Sequence, residues 1–178
     1  MPRNIEIKAR IDSVEALLPR AQALAGAPPT LLEQDDTFFD VPHGRLKLRQ
    51  FADGSAELIH YVRPDLGDAR ASDYVRVPAP APDALREALT RACSQRGRVL
   101  KRRWLLRVGQ TRVHLDRVQG LGDFMELEVV LRDGQSDAEG VAIAERLMAK
   151  LGLADAERLA GAYLDLAGAS SGGSACAR

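Results

Sequence analysis

Two periodicities divide the chain. In four stretches apolar residues return every three or four positions, the stripe of an amphipathic helix. From Asp12 to Ala25 they are Val14, Leu17, Leu18, Ala21 and Leu24, with Asp12 or Ser13 placed to cap the first turn. Pro19 within that stretch predicts a kink or an early stop. From Pro82 to Arg96 they are Leu85, Leu89 and Cys93, after a Pro-Asp start and before a stop at Gly97. Ser136 to Leu151 opens with Ser136 and Glu139 at capping-box spacing. Ala156 to Leu166 sets Leu159, Ala162, Tyr163 and Leu166 on one side.

Elsewhere polar and apolar positions alternate, the signature of strands. The expected strands are Arg3–Ile11, Thr37–Asp40, Arg45–Phe51, Ala56–Arg63, Asp73–Val77, Val99–Val108, Arg112–Arg117 and Phe124–Leu131. Asp53-Gly54 and Gly109-Gln110 mark tight turns, and Gly120-Leu121-Gly122 a looser one. Such short connections join antiparallel neighbours. The expected fold class is α+β: a closed antiparallel β-barrel, a tunnel, of about eight strands with helices packed on the outside. Residues 1–167 form one domain, and the Gly/Ser-rich stretch 168–178 reads as a disordered tail.

The polar face of these strands is unusual. Asn4, Glu6, Lys8 and Arg10 alternate with Ile5, Ile7, Ala9 and Ile11, and Arg45, Lys47 and Arg49 with Leu46 and Leu48. Glu57, Tyr61 and Arg63 share one parity, as do Lys101 with Arg103, and Arg112 with His114 and Asp116. Glu126 and Glu128 alternate with Met125, Leu127 and Val129. A solvated face would mix in Ser and Thr; this one is mostly long cations and carboxylates, the acids drawn from the terminal strands. Four amphipathic helices need an apolar surface to cover, so the apolar face lies outside and the charges line the barrel. About eight Lys and Arg in one interior repel one another unless they hold a strongly anionic guest. Arg forks suit the oxygens of a triphosphate, and grouped carboxylates suit Mg²⁺ or Mn²⁺ bridged to it.

Composition changes the picture only by exclusion. The chain has 178 residues, enough for one well-cored domain, with 25 Lys+Arg against 25 Asp+Glu. That balance argues against a bulk nucleic-acid binder or a polybasic membrane-surface protein. No apolar run approaches the ~20 residues of a membrane span, and the charged, alternating start is unlike a signal peptide. Cys93 and Cys176 form no metal-ligand spacing. A cytoplasmic location is expected.

The residues also resemble a known family. Asn4-Ile5-Glu6-Ile7-Lys8 resembles the ExExK signature of the CYTH superfamily, the triphosphate tunnel metalloenzymes. Asp36-Thr-Phe-Phe39, Arg45-Leu-Lys-Leu-Arg49, Tyr61-Val-Arg-Pro64, Lys101-Arg-Arg103, Arg112-Val-His-Leu-Asp116, Phe124-Met-Glu-Leu-Glu128 and Gly161-Ala-Tyr163 resemble its further motifs in order, over residues 3–166. The similarity is to the class IV adenylate cyclase-like branch. It implies that Glu6, Glu126 and Glu128 bind Mg²⁺ or Mn²⁺, with Asp116 as an additional ligand. It implies that Lys8, Arg45, Lys47, Arg49, Arg63, Lys101, Arg103 and Arg112 bind the triphosphate, with Lys8, Glu6 and Glu126 the catalytic group. The implied activity is conversion of ATP to cyclic AMP and pyrophosphate. The alternatives are an organic or inorganic triphosphatase releasing orthophosphate, and a non-catalytic triphosphate- or polyphosphate-binding module. The partner is then a small triphosphate, not nucleic acid or a membrane, and a homodimer is a possible assembly. The departure is Asn4, where ExExK has its first Glu: an Asn oxygen brings no charge, which predicts weaker binding of a second metal.

Other residues receive plainer readings. His114 reads as a satisfied structural histidine and Tyr163 as packing for the last helix. Arg10 and Arg76 read as rim or surface residues. His43 and His60 stand in no constellation, and Trp104 and the Phe38-Phe39 pair read as core.

Overall fold

The alternating segments all become strands of one antiparallel sheet. The computed structural model describes residues 3–62, 70–71, 73–159 and 163–166. In chain order the elements are β1 (Asn4–Arg10), α1 (Val14–Ala25), β2 (Thr30–Phe39), β3 (Arg45–Phe51), β4 (Ala56–Val62), β5 (Arg70–Ala71) and β6 (Asp73–Pro78). There follow α2 (Pro82–Cys93), β7 (Gln95–Val108), β8 (Thr111–Val118), β9 (Gly122–Val130) and α3 (Asp137–Leu151). The sheet order is β5-β1-β9-β8-β7-β2-β3-β4-β6. Its two edges, β5 and β6, are separated in sequence by one residue. A single passage of chain therefore pairs first with β1 (Ile5 opposite Ala71, Glu6 opposite Arg70) and then with β4 over six residues. The expected barrel is present, curled nearly shut, with a thin ladder at this seam.

The helices cover the apolar face from outside. Ile5, Ile7 and Ala9 of β1, Val113 and Leu115 of β8, and Met125, Leu127 and Val129 of β9 are buried against Val14, Leu17 and Ala21 of α1 and Ala144, Leu147, Met148 and Leu151 of α3. On the other side of the barrel α2 packs Leu85, Leu89 and Cys93 onto Phe39, Leu48 and Ala56. Helices α1 and α3 are closed at both ends by local chemistry. Ser13 accepts a hydrogen bond from the Ala16 amide, and Ser136 and Glu139 form the capping box with both bonds made. Gly26 and Gly152 end α1 and α3 in the left-handed conformation that favours glycine.

Several boundaries differ from the sequence reading. Helix α1 runs through exposed Pro19 to Ala25, because Leu17 and Ala21 on either side of it are anchored in the core. Helix α2 stops at Cys93, and Gly97 lies within β7. The turn-out residue is Ser94, at φ 61. Strand β2 begins at Thr30 rather than Thr37. Its inward parity mixes Leu32 and Phe38 with Gln34 and Asp36, and its outward parity mixes exposed Leu31 with buried Thr37 and Phe39, so neither face reads as uniformly polar or apolar. Among the described residues of the expected helix 156–166, residues 156–159 are not helical and 163–166 are. Before that, Arg158 bridges Ala9 and the Leu159 amide donates to the Lys8 carbonyl, giving the chain an extended hold on β1 instead of a helical turn. Arg63 and the tail 168–178 lie outside the described residues. Among the described residues, no helix is long and apolar enough to cross a membrane.

Gly140 fixes how closely α3 approaches the barrel. A β-carbon there would sit 2.6 Å from Ile5 Cγ1 and 2.6 Å from Leu131 Cδ2. Ile5 is branched and fully buried, so the neighbour cannot yield cheaply. Gly140→Ala should destabilise the fold by about 1–2 kcal/mol despite the better helix propensity of Ala, read as a lower urea midpoint with unchanged slope.

Candidate active site

Strand register, more than any single loop, assembles the site. Residues of one parity on each strand face the inside, and the pairings set which side chains meet. Glu126 of β9 lies opposite Lys8 of β1 on one side and His114 of β8 on the other. Two residues along, Glu128 lies between Glu6 and Arg112. Arg103 of β7 is opposite Asp116, and Arg49 of β3 is opposite Asp36 of β2. The result is a cavity of ≈ 300 Å³ with eight Lys or Arg side chains and five carboxylates in its lining.

Two aspartates hold the deepest cations. Arg49 grips Asp36 with two bonds of 2.6 Å, and Lys47 Nζ adds a third at 3.0 Å. Arg103 grips Asp116 at 2.7 and 2.6 Å, and the Tyr163 hydroxyl donates to the same carboxylate at 2.8 Å. Burial alone would raise both carboxyl pKa values, but the charges of Arg49 and Lys47 on Asp36, and of Arg103 and Lys101 on Asp116, outweigh it and hold both below the usual range. Below this layer Phe38, Val99, Val118, Phe124 and Tyr163 pack into an apolar floor. The Tyr163 ring carries Lys8 Nζ at 4.2 Å and Lys101 Nζ at 5.0 Å from its centroid, a cation–π support for two buried ammonium groups.

Crowding leaves its mark on the lysines. Burial first, then repulsion from Arg103, pushes Lys101 down to about 7. Burial and Arg49 push Lys47 down to about 8. Glu126 is held well below the usual carboxylate range: burial opposes ionisation, but Lys8 at 3.2 Å, Arg103 at 3.4 Å and His114 Nδ1 at 3.1 Å overcome it. Glu128 is also lowered against its burial, with the Arg112 Nε bond of 2.7 Å contributing. Burial first, then the charge of Arg103, lowers the His114 pKa, against the pull of Glu126 and Glu128.

The cavity brings together Glu6, Lys8, Lys47, Arg49, Lys101, Arg103, Arg112, Glu126 and Glu128. Two expected residues lie elsewhere. Arg45 is beyond the floor, in a separate small pocket, paired to Asp165 at 2.8 Å. One register step past Lys47 on the inward parity carries it out of the tunnel. Asp116 is fully buried, outside the cavity lining, and accepts two bonds from Arg103 and one from the Tyr163 hydroxyl, which holds Arg103 in place. Sequence reasoning missed Asp36 as an organising charge, although it stands in the Asp36-Thr-Phe-Phe39 stretch. It also set aside Arg76 and missed Arg107, both of which line the cavity, Arg76 stacking on Tyr74 with 5.1 Å to the ring centroid. Tyr163 packs, as expected, and also carries two lysines.

The donor set fits a hard divalent cation. His114, Glu126 and Glu128 each offer a ligand atom within 4.8 Å of the others. Glu6 lines the same cavity, and Asn4 Oδ1, buried in its wall, makes no hydrogen bond. An orphaned buried oxygen beside ionised carboxylates is the arrangement a bound cation would satisfy.

The fold is shared with solved structures. No curated protein matches the chain. A solved structure from Pyrococcus horikoshii is 26% identical, with a TM-score of 0.81 over 92% of this chain and 98% of that one. A candidate adenylate cyclase of Vibrio parahaemolyticus is 20% identical, with a TM-score of 0.75 over 93% and 97%. A candidate adenylyl cyclase of Hippeastrum, which has a dominant triphosphatase activity, is 18% identical, with a TM-score of 0.64 over 95% and 96%. These last two share the fold. The CYTH domain model matches residues 2–163, and with the charged barrel interior it establishes that the chain belongs to the CYTH domain family.

Proposed function

We propose that the tunnel binds a nucleoside triphosphate and cleaves it as a class IV adenylate cyclase does, converting ATP to cyclic AMP and pyrophosphate. The observation that carries this reading is one cavity in which Lys8, Lys47, Arg49, Lys101, Arg103 and Arg112 converge on the same ≈ 300 Å³ as Glu6, Glu126 and Glu128. A chain of phosphates is the guest whose charge matches that wall. Arg49 and Arg103, fixed by their aspartates, present preorganised forks to its oxygens, which is where transition-state charge develops. Lys8, seated on Tyr163 and Glu126, adds a point charge on the acidic side. Leu32, Phe51, Leu105 and Tyr74 form a half-buried apolar part of the lining, suited to an organic base. Glu6, Glu126 and Glu128 would hold Mg²⁺ or Mn²⁺, which when bound supplies charge neutralisation across the phosphate oxygens. The ribose 3′-hydroxyl attacks the α-phosphorus in line, and pyrophosphate leaves into the cation wall.

A second reading is a triphosphatase, in which water attacks the terminal phosphorus. It is favoured by how much of the cavity wall is charged, since such a wall holds a guest by its phosphates and reads the organic end lightly. Asn4, with no charge where ExExK has a carboxylate, favours a third, non-catalytic binding module. The cytoplasm, where ATP is abundant, is the location this reading carries with it.

Incubation with ATP and with tripolyphosphate, each with Mg²⁺ or Mn²⁺, should give cyclic AMP plus pyrophosphate from ATP. Orthophosphate release would establish the triphosphatase instead, and saturable binding without product the binding module. Glu126→Gln and Lys8→Ala should each cut turnover by about 10²-fold or more with the circular dichroism unchanged. If triphosphate neither binds nor raises Tm, the tunnel reading fails.

Binding should also be linked to protons. Lys101 and Lys47 lose their protons above about 7 and about 8. A bound polyanion favours their charged forms and raises both pKa values, so binding near pH ~8.5 takes up protons and affinity falls as pH rises. Calorimetry in buffers of different ionisation enthalpy should show that uptake, and Lys101→Met should reduce it. Equal uptake in the variant would remove Lys101 from the account.

A further inference from the structure

We propose that His114 is a metal ligand through Nε2, paired with Glu128, and that this nitrogen makes the site prefer Mn²⁺ and later transition ions to Mg²⁺. The proposal rests on the metal-dependent reading above and adds to it a ligand of a different chemical kind.

The imidazole is held from one side. Its Nδ1 lies 3.1 Å from Glu126 Oε1. The carboxylate oxygen accepts in that contact, so Nδ1 carries the hydrogen that lies between them, and Nε2 is the nitrogen left for another partner. Nε2 is then turned away from Glu126, and the nearest carboxylate oxygen recorded for it is Glu128 Oε2 at 4.0 Å. That gap is too wide for a hydrogen bond. Two donors bound to one ion at ~2.0–2.2 Å lie at most about 4.4 Å apart, so a single ion can bridge 4.0 Å. Glu126 Oε1 then fixes the orientation of the metal-binding histidine, while Glu126 Oε2, 3.2 Å from Lys8 Nζ, is the oxygen left to face the ion. Glu128 Oε2 accepts one bond from Arg112 Nε at 2.7 Å and keeps a second lone pair for the ion.

An independent observation comes from the same cavity wall, two residues along β1 from Glu6, the residue opposite Glu128. Asn4 Oδ1 is buried, with Asn4 only 4% exposed, has no hydrogen-bond partner, and lines the same cavity. A histidine with a purely structural role would have its second nitrogen satisfied by a donor or left on an apolar wall. Here it faces a carboxylate in a wall that also contains Glu6. Mg²⁺ demands oxygen ligands, whereas imidazole nitrogen raises affinity along the transition series.

The test uses the full chain with Mn²⁺ alone and Mg²⁺ alone, without triphosphate. Electron spin-echo modulation of bound Mn²⁺ should show coupling to one ring nitrogen, shifted by ¹⁵N-histidine labelling. Competition calorimetry should show Mn²⁺ held about 10-fold or more tighter than Mg²⁺. His114→Asn should remove the coupling and most of that preference, leaving Mg²⁺ affinity nearly unchanged. Bound Mn²⁺ without nitrogen coupling overturns the proposal, as does failure to bind Mn²⁺, and the wild-type spectrum decides even if the variant does not fold. A Tm shift by tripolyphosphate in EDTA reports the cation wall separately. Were that shift seen without nitrogen coupling, His114 would be excluded as a ligand while the tunnel stood; absence of both would remove the two together.

Discussion

Everything inside this barrel depends on keeping like charges from driving one another apart. Lys47, Arg49, Lys101 and Arg103 are drawn into one buried region, each desolvated and each raising the potential felt by the others. Two aspartates make the arrangement tenable. Asp36 takes Arg49 and Lys47, and Asp116 takes Arg103, with Lys101 3.7 Å away. Removing one partner from such a buried pair costs about 3–5 kcal/mol, far more than any exposed bridge on the outer surface. The forks are therefore rigid before any ligand arrives, which is what an electrostatic binding wall requires. Aspartate suits the task by length: from a neighbouring strand its short side chain meets the guanidinium edge-on, leaving the cation tip for the cavity.

The same constraint explains the zero net charge of the chain. It arises from a cationic lining concentrated inside and an acidic remainder distributed elsewhere, with much of the inner charge neutralised by its own carboxylates. The depressed lysines show that neutralisation is incomplete. Two ammonium groups near their titration points at neutral pH are the residual demand for negative charge, and an aromatic floor meets it only in part. Tyr163 lines the cavity, bonds Asp116 and supports two lysines. The few helical residues that carry it thus belong to the site as much as to the core.

How far the sequence disclosed this depends on where polarity and burial agree. On β1, β8 and β9 the apolar parity faces covering helices, so alternation alone identified strand, face and chemistry together. On β2 both parities are mixed: Leu32 and Phe38 face inward beside Gln34 and Asp36, and exposed Leu31 shares the outward face with buried Phe39, so the segment carries no amphipathic signal that singles out Asp36 as the partner of Arg49. Arg45 shows the limit of parity as a guide to site membership. It shares the inward face of Lys47 and Arg49 but lies past the floor, a distinction set by strand stagger. Asp116 was placed among the acids because charge type is visible in a sequence, whereas its saturation by Arg103 and Tyr163 is a matter of register.

Register also gives Asn4 a physical meaning. Glu6 and Glu128 stand directly opposite on neighbouring strands, a placement that is repulsive unless a cation intervenes. Arg112 answers part of that repulsion through its bond to Glu128. A third carboxylate at position 4, on the same face of β1, would leave the acidic side short of positive charge and make its folding depend on a bound ion. The neutral amide relieves the repulsion while keeping an oxygen turned into the wall, unpaired and buried. The acidic side then carries one negative charge fewer to be neutralised, and in the proposed metal site the His114 nitrogen would likewise offer a ligand without adding negative charge to the cluster.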